Sequence, residues 1–209
     1  MKNRLLSYSF RFLGLSVQVV SRWSLVIGLL SGCTAIYGWN IHAPGILSAE
    51  FAQDIPQVSK RVALYVPEGQ KDYFSTDKGT RFSDPQKYFV GEAFVPMLIE
   101  SFQSGFSEFI LMEAVPTPDI MQQYAIDVLV VTEIKDFKNR KSLPAQGLDL
   151  YTETTVFNRD LKLIRRFETR GTSEARGTFA KKGGLEVNLN AAIEGNLREV
   201  VLQTQEAIK

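Results

Sequence analysis

A run of strand-forming segments between Val128 and Arg170 constrains this chain more than any other feature. A strongly apolar segment extends from Val128 to Phe137, and apolar and polar residues alternate from Leu148 to Phe157. Alternation of this kind is typical of a half-buried β-strand. Asn158-Arg159-Asp160 has the residues of a tight turn, and Leu161–Arg170 returns as the next strand. This part of the chain therefore predicts an antiparallel sheet with one face turned toward a core.

Two amphipathic helices accompany these strands. After Asp84-Pro85, a typical helix start, apolar residues recur at three- and four-residue spacing as far as Gly105. Pro96 lies inside that segment and predicts a kink or a division into two short helices, because proline breaks the helical hydrogen-bond pattern. A second helix is predicted from about Leu185 to Ile208.

The remaining segments complete the predicted architecture. Val62–Val66 and Phe109–Met112 are predicted strands, and Pro116–Gln123 predicts a turn or a short helix. The order is strand, helix, four strands, helix, and the hydrophobic fraction of 44% is enough for a real core. The sequence therefore predicts the α+β class: a two-layer sandwich in which two helices pack on one mainly antiparallel sheet of about five strands.

The N-terminus has the composition of an export signal. Residues 1–32 contain no Asp or Glu but carry four basic residues, and an apolar run extends from Trp23 to Leu30. The run ends in Leu30-Ser31-Gly32-Cys33, which contains the only cysteine of the chain. An uncleaved signal anchor in the inner membrane is the alternative, since Trp23–Ile41 is nearly free of charge and about long enough to span a bilayer.

Leu30-Ser31-Gly32-Cys33 closely resembles the lipobox of bacterial lipoproteins. The resemblance implies that residues 1–32 are removed and that Cys33 is acylated, palmitate included, as the mature N-terminus. Thr34 stands where an Asp favours retention in the inner membrane in that family, so the resemblance implies an outer-membrane anchor with the domain in the periplasm. Two or more acyl chains attach a protein stably, and an acylated Cys33 is no longer a nucleophile or a metal ligand.

The expected organisation has three parts. A lipoprotein signal peptide spans residues 1–32, a lipidated tether spans 33–59, and a periplasmic α+β domain spans 60–209. The tether is predicted from its proline and glycine residues and from the absence of a sustained hydrophobic period. Its apolar residues are suited to lie on lipid or on a partner: Ile36, Tyr37, Trp39 and Ile41.

The domain also resembles a group of small periplasmic lipoproteins in its pattern of elements. Val62-Ala63-Leu64-Tyr65-Val66-Pro67 leads to a helix with Gly91 near its middle, and Ala125-Ile126-Asp127-Val128-Leu129 enters a long strand and hairpin. This pattern is similar to outer-membrane lipoproteins of the YajG type and to the domains of the LptE and PelC lipoproteins. The resemblance implies a non-enzymatic envelope component that binds a partner or a glycan, or that assembles into a ring.

The residue counts argue against several kinds of active site. One Cys and one His exclude a disulfide within the chain and multi-thiolate or multi-histidine metal sites, so no metal or cofactor is expected. His42 lies in the predicted tether, where nothing would hold a general base in place. A Ser–Lys pair stays open, although no spacing indicates one. Asp127 and Glu133 lie about 20 Å apart along a strand, which is farther than the separation of the two catalytic carboxyl groups of a glycosidase. No catalytic set is therefore found, and no enzyme is predicted.

Charge is distributed unevenly along the chain. The net charge of +1 gives no reason to expect nucleic-acid binding, but residues 135–182 hold twelve lysines and arginines against six acidic residues. The hairpin could present a surface for an anionic glycan, lipid headgroups or an acidic partner. The residues predicted for it are Lys138, Arg140, Lys141, Lys162, Arg165 and Arg166. The simpler interpretation is a solvated sheet edge whose charges discourage aggregation.

The sequence therefore predicts a lipid-anchored periplasmic subunit with a structural or binding role in an envelope assembly or export complex. Its expected contacts are the membrane through the lipid, and an envelope protein partner or further copies of itself. The alternative is an accessory lipoprotein that binds lipopolysaccharide or an exported polysaccharide through the basic hairpin.

Overall fold

A computed structural model describes residues 38–79, 84–142, 145–176 and 184–209. The chain divides into two compact units. Of the described residues, the smaller unit contains 38–39, 78–79 and 84–86, and in it Nε1 of Trp39 donates a hydrogen bond to Oδ2 of Asp84 at 3.2 Å. The larger unit, Asn40–Asp77 with Lys87–Lys209, contains the hydrophobic core. The predicted signal peptide and Cys33 lie outside the described residues.

The described residues form two sheets and four helices. The strands are β1 (Trp39–Ile41), β2 (Val58–Tyr65), β3 (Ser75–Asp77), β4 (Gln86–Tyr88), β5 (Phe106–Met112), β6 (Val128–Ser142), β7 (Ala145–Asn158) and β8 (Leu163–Arg176). The helices are α1 (Ala49–Asp54), α2 (Val90–Gly105), α3 (Pro118–Gln123) and α4 (Gly184–Ala207). The larger sheet has the order β5-β2-β6-β7-β8, and a small sheet has the order β1-β4-β3.

The five-stranded sheet confirms the predicted α+β class. β6, β7 and β8 form the antiparallel meander that the alternating segments predict, with Val130 opposite Val156 and Thr152 opposite Thr169. β2 lies parallel to both β5 and β6, because the chain crosses over through α2 before it returns as β5. The sheet is therefore mixed, antiparallel at β6-β7-β8 and parallel at β5-β2-β6.

Two layers follow from the period of the strands. Every second side chain of the central strands points to the face covered by α2 and α4, where the buried residues include Leu64, Val130, Leu150, Phe94 and Leu197. The other face carries a smaller apolar cluster at the end near α3, formed by Ala63, Met121, Ile126 and Leu129. The rest of that face, over β6, β7 and β8, has no helix packed on it among the described residues.

The start of α2 differs from the prediction. The helix begins at Val90 and not at Asp84-Pro85, because Gln86–Tyr88 forms a strand of the small sheet. The N–H of Gly91 donates to the carbonyl of Tyr73 at 2.9 Å, and a Cβ at Gly91 would clash with the carbonyl oxygen of Gln70. Glycine at this position therefore lets the preceding loop close over the first turn of α2.

The predicted division of this helix at Pro96 is also wrong. α2 runs without interruption from Val90 to Gly105 with Pro96 inside it. The proline side chain is exposed, so the carbonyl that loses its N–H partner lies on the side of the helix that water can reach. The two adjoining residues on the inner side, Met97 and Leu98, are fully buried in the core and hold the helix on the sheet.

The packed part of the chain extends N-terminally of the predicted domain boundary. Residues 40–59 fall in the range predicted as a tether, yet they include α1 and three side chains with almost no exposed surface, Ile41, Phe51 and Ile55. The N–H and hydroxyl of Ser48 donate to the carboxylate of Glu194 on α4, at 2.9 and 2.6 Å. This segment is part of the larger unit, which begins at Asn40.

The C-terminal helix approaches β8 closely at a glycine. A Cβ on Gly171 would clash with the carbonyl oxygen of Ala192 and with the amide nitrogen of Asn196. The buried side chain of Asn196 accepts from Thr152 at 3.0 Å and donates to the carbonyl of Leu150 and to Thr169, each at 3.2 Å. These contacts hold α4 on β7 and β8, the last two strands of the sheet, and we refer to them as the α4 clamp.

Gly171→Ala is predicted to destabilise the protein, because the added methyl group forces the helix backbone away from β8 and breaks the hydrogen bonds of Asn196. We expect a loss of about 3 kcal/mol in the free energy of unfolding, measured by chemical denaturation. Gly195→Ala is the matched control: a Cβ there meets no atom within 4 Å, and the change should stabilise the helix by up to about 1 kcal/mol. Equal effects of the two substitutions would contradict the clamp.

Candidate functional site

The face of β6, β7 and β8 that points away from α2 and α4 carries mostly charged and polar side chains, and we call it the open face. Asp149, Tyr151 and Glu153 lie on it because they alternate with Leu150 and Thr152, which point toward the helices. The neighbouring strands contribute further charged residues to the open face: Lys138 and Arg140 on β6, and Arg166, Glu168, Arg170 and Glu174 on β8.

Two arginines converge on one carboxylate in the middle of the open face. Arg140 donates from Nε to Oδ2 of Asp149 at 2.7 Å and from Nη2 to Oδ1 at 3.0 Å, and Arg170 donates to Oδ2 at 2.9 Å. The Asp149 side chain is only 2% exposed as a result. Gly147 leaves the space that Arg140 occupies, since a Cβ there would lie 2.7 Å from Nη2 of the arginine.

The electrostatics of this cluster follow from two opposing effects on Asp149. Burial disfavours the charged carboxylate and by itself would raise the pKa of Asp149. The hydrogen bonds and charges of Arg140 and Arg170 outweigh burial, so the pKa of Asp149 lies below its ordinary value of 3.8. In the folded protein the carboxylate therefore stays ionised, and two half-exposed guanidinium groups stay fixed around it.

Other charges on the open face are also held by neighbours. Nζ of Lys138 lies 3.2 Å from Asp136 and 4.9 Å from the ring centroid of Tyr151, and the Arg170 guanidinium lies 5.5 Å from the same ring. Lys135 binds Glu133 at 2.6 Å and Glu153 at 3.4 Å, and the hydrogen bond to Glu133 raises the pKa of Lys135. These contacts, some within β6 and some between neighbouring strands, give the face a fixed charge pattern.

The six predicted basic residues do not form one surface. Four of them are ion-paired with described acidic residues: Lys138 with Asp136, Arg140 with Asp149, Lys141 with Asp77 at 2.9 Å, and Arg165 with Glu206 at 3.0 Å. Lys138 and Arg140 lie on the open face, whereas Arg165 points to the opposite face and reaches the end of α4.

Lys162 and Arg166 differ from the other four. Lys162 lies in the turn between β7 and β8, where its N–H donates to Oδ1 of Asn158 at 2.9 Å, and its side chain is exposed. Arg166 is exposed on the open face opposite Thr155. Within the part of the chain that the structure describes, neither side chain has an acidic partner. Whether the basic hairpin binds an anion stays a prediction.

Sequence reasoning left Asp149 and Tyr151 out of the predicted site. The alternation of β7 places Asp149 and Tyr151 on its polar face, and that signal is readable in the sequence. The pairing of Tyr151 with Arg170 is not readable, because it depends on the register shift between Val156 and Phe157 near the hairpin turn.

The remaining residues that could carry chemistry have structural contacts. Oδ2 of Asp127 accepts from the N–H of Arg61 at 3.1 Å and Oδ1 accepts from Arg159 at 3.0 Å. The prediction that nothing holds His42 in place is wrong: its ring stacks on Phe89 with centroids 4.2 Å apart, and its Nδ1 lies 2.7 Å from Glu92. Among the described residues, no group of three or more His, Cys, Asp or Glu side chains is placed to hold a metal ion.

None of the helices within residues 38–79, 84–142, 145–176 and 184–209 is both long enough and apolar enough to cross a bilayer.

No family model and no curated protein matches this chain. Several solved structures are similar to it. They include the hypothetical protein CT253 from Chlamydia trachomatis, at 12% identity over 72% of this chain and 98% of that chain with a TM-score of 0.46. A PelC dodecamer from Paraburkholderia phytofirmans is 9% identical over 78% of this chain and 93% of that chain, with a TM-score of 0.42. A minor lipoprotein from Acinetobacter baumannii is 11% identical over 73% of this chain and 92% of that chain, with a TM-score of 0.37. These likenesses are too distant to assign a family or to carry over a role.

Asp149→Asn is predicted to change how stability depends on pH. A carboxyl whose pKa is lowered by folding contributes stability above its ordinary value of 3.8, and this contribution is lost as the pH falls below that value. The variant should lose on the order of 2 kcal/mol in the free energy of unfolding at pH 7, and its stability should fall less than that of the wild type as the pH is lowered below 3.8.

Asp136→Asn is the control for this experiment, because Asp136 pairs with Lys138 at a position where both side chains are about half exposed. Denaturation curves measured across the pH range should be nearly those of the wild type for this variant. Parallel pH curves for wild type and Asp149→Asn would show that the arginine cluster does not stabilise the ionised carboxylate.

Proposed function

We propose that this protein is a lipid-anchored, non-enzymatic subunit of the bacterial cell envelope, held at the periplasmic face of the outer membrane, that binds other protein through its five-stranded sheet. The observation that carries the proposal is the open face of β6, β7 and β8 with the outer edge of β8 beside it, to which no strand of the described residues pairs. A long strand edge offers backbone N–H and C=O groups to a binding partner, and side chains next to it select which partner binds.

The charge pattern supports a role in binding. Arg140, Asp149 and Arg170 are fixed by three hydrogen bonds, and Lys138 and Arg170 flank Tyr151. Side chains that are already held in one conformation lose less entropy when a partner binds. The leader indicates the cell envelope as the location of such a surface, and an envelope assembly or export complex is the setting that we propose for it.

The position of the anchor supports the proposed location. The packed unit begins at Asn40, seven residues after Cys33. Seven extended residues span at most about 25 Å, so acylation of Cys33 would hold the domain directly against the membrane surface. A partner of this sheet would then be another protein at the same membrane.

Cys33→Ala tests the anchor. The wild type, expressed in a bacterial host, should lose residues 1–32, gain the mass of its acyl chains and fractionate with the outer membrane, because acyl chains give stable attachment only when two or more are present. Intact-mass spectrometry and membrane fractionation measure these changes, and all three should disappear in the variant. A wild-type protein that keeps its N-terminus and stays in the inner membrane in both forms would be a signal-anchored subunit, contrary to the proposal.

A second candidate function is binding of an anionic glycan, such as lipopolysaccharide or an exported polysaccharide. The observation that favours it is the exposure of Lys162 and Arg166, which have no acidic partner among the described residues. Their charges are available to a phosphate or carboxylate group, whereas the other predicted cations already bind carboxylates of the protein.

Arg166→Glu is therefore predicted to weaken binding of lipopolysaccharide at low salt at least tenfold, measured by titration calorimetry at two salt concentrations. Lys71→Glu is the control, since Lys71 is an exposed cation in the loop before β3 and the substitution changes the charge by the same amount. Equal losses in the two variants would show a non-specific charge effect, and binding that is insensitive to salt would contradict an electrostatic glycan site.

A further inference from the structure

The outer edge of β8 is the longest strand edge that the described chain leaves unpaired. β8 spans Leu163–Arg176 and is the last strand of the five-stranded sheet. From Arg165 to Arg176 it pairs with β7 in one continuous register, with the shift confined to the first residues of the strand. No proline interrupts it. The backbone along this edge is therefore regular enough to accept another strand.

We propose that β8 pairs antiparallel with β8 of a second copy of this chain, which joins the two five-stranded sheets across a two-fold axis at Thr169. In this register Arg165 lies opposite Ser173 of the second copy, and each residue from 165 to 173 has a residue of the second copy directly opposite it. The interface is isologous, since the same surface contributes from both copies. This inference rests on the proposed role of the β8 edge in binding protein and does not depend on acylation of Cys33.

The charges of the open face favour this register over a shift by two residues in either direction. It places Glu168 opposite Arg170 of the second copy and Arg170 opposite Glu168 of the second copy, which gives two ion pairs around the axis. A shift of two residues in one direction places Glu168 opposite Glu168 and Arg166 opposite Arg170. A shift in the other direction places Arg170 opposite Arg170, with Arg166 opposite Glu174. Each shifted register therefore has like charges at the axis, which destabilise a sheet, whereas the proposed register has none.

The unbalanced charge of Glu168 supports the choice of a second copy as the partner. Glu168 lies opposite Glu153 on the inner side, a residue of the same charge, and has no basic partner among the described residues. Arg170 uses one nitrogen to bind Asp149 and its side chain is 49% exposed, so further N–H groups are available to a carboxylate beyond the edge.

The helix layer leaves room for the second copy. α4 lies over β8 at Gly171, and the turn next to Asn196 carries two small residues, the exposed Ala191 and the partly exposed Gly195. A Cβ at Gly195 would meet no atom within 4 Å. Two copies of α4 on either side of the axis can therefore approach one another without a collision of large side chains at this turn.

Cysteine cross-linking tests the register directly. Arg166 and Thr172, both exposed, lie opposite one another across the proposed interface, where paired Cα atoms are about 4.5 to 5.5 Å apart, within disulfide range. Arg166→Cys with Thr172→Cys in the full-length chain in detergent should give a covalent dimer under mild oxidation, seen on a non-reducing gel. Within one copy the two positions are about 20 Å apart and cannot form a disulfide.

The single variants Arg166→Cys and Thr172→Cys are the matched controls. Each cysteine would lie about 20 Å from its own symmetry mate, so neither should cross-link above the level of the wild type, which retains Cys33. A covalent dimer from the double variant alone supports the register. Cross-linking that is equal in single and double variants, or absent in all of them, overturns it.

Sedimentation equilibrium in a neutrally buoyant detergent gives the independent test. The wild type should form a dimer, and Glu168→Arg should raise its dissociation constant at least tenfold, because both ion pairs become pairs of arginines. Glu113→Arg, an exposed position in the loop after β5, is the control and should behave as the wild type. A monomer at all concentrations, or a larger assembly that Glu168→Arg leaves intact, would overturn the proposal whether or not Cys33 is acylated.

Discussion

The rest of the structure depends on the close contact between α4 and strands β7 and β8 of the sheet. A glycine at position 171 lets the backbone of the helix lie against β8, and Asn196 then reaches the carbonyl of Leu150 and the hydroxyl groups of Thr152 and Thr169. A polar side chain buried in this way is stable only when its hydrogen-bonding groups are satisfied. The α4 clamp thus gives α4 a fixed position over β7 and β8.

The open face has its form because of that clamp. With both long helices on one side, alternate residues of β7 and β8 lie on the other side, where no helix of the described part of the chain packs over them, and charged residues occupy these positions. Asp149 is buried by arginines rather than by apolar side chains. The resulting face is polar but ordered, and within the described chain no other strand pairs with the outer edge of its last strand. Both properties suit a protein that acts by binding, which agrees with the anchor that the N-terminal sequence indicates.

Much of the large sheet and both long helices can be predicted from the sequence, because their hydrophobic periods extend over many residues. The three-residue strands β1, β3 and β4 cannot, since they have no measurable period and pair over long sequence distances. The same limit explains the helix start: Asp84-Pro85 has the local signature of a cap, but the neighbouring Gln86–Tyr88 is taken into the small sheet. Tertiary pairing prevails there over local preference.

The candidate site shows the same division. The polar alternation of β7 predicts that a charged face exists, yet the ion pairs on it depend on register, and a count of lysines and arginines does not show which are neutralised. Arg165 and Arg166 are adjacent in the sequence, but one binds Glu206 on the helix side and the other lies on the open face. Gly171 carries no sign in the sequence that a helix backbone will pass over it.

Amide hydrogen exchange of the full-length chain tests the central claim, that the α4 clamp organises the outer half of the sheet. If the clamp holds α4 and the strands together, the slowest amides of α4 and of β7 should exchange with the same free energy of opening, because neither can open without the other. Exchange of α4 through a much lower free energy than that of β7 would show that the helix leaves the sheet independently, and would contradict the account.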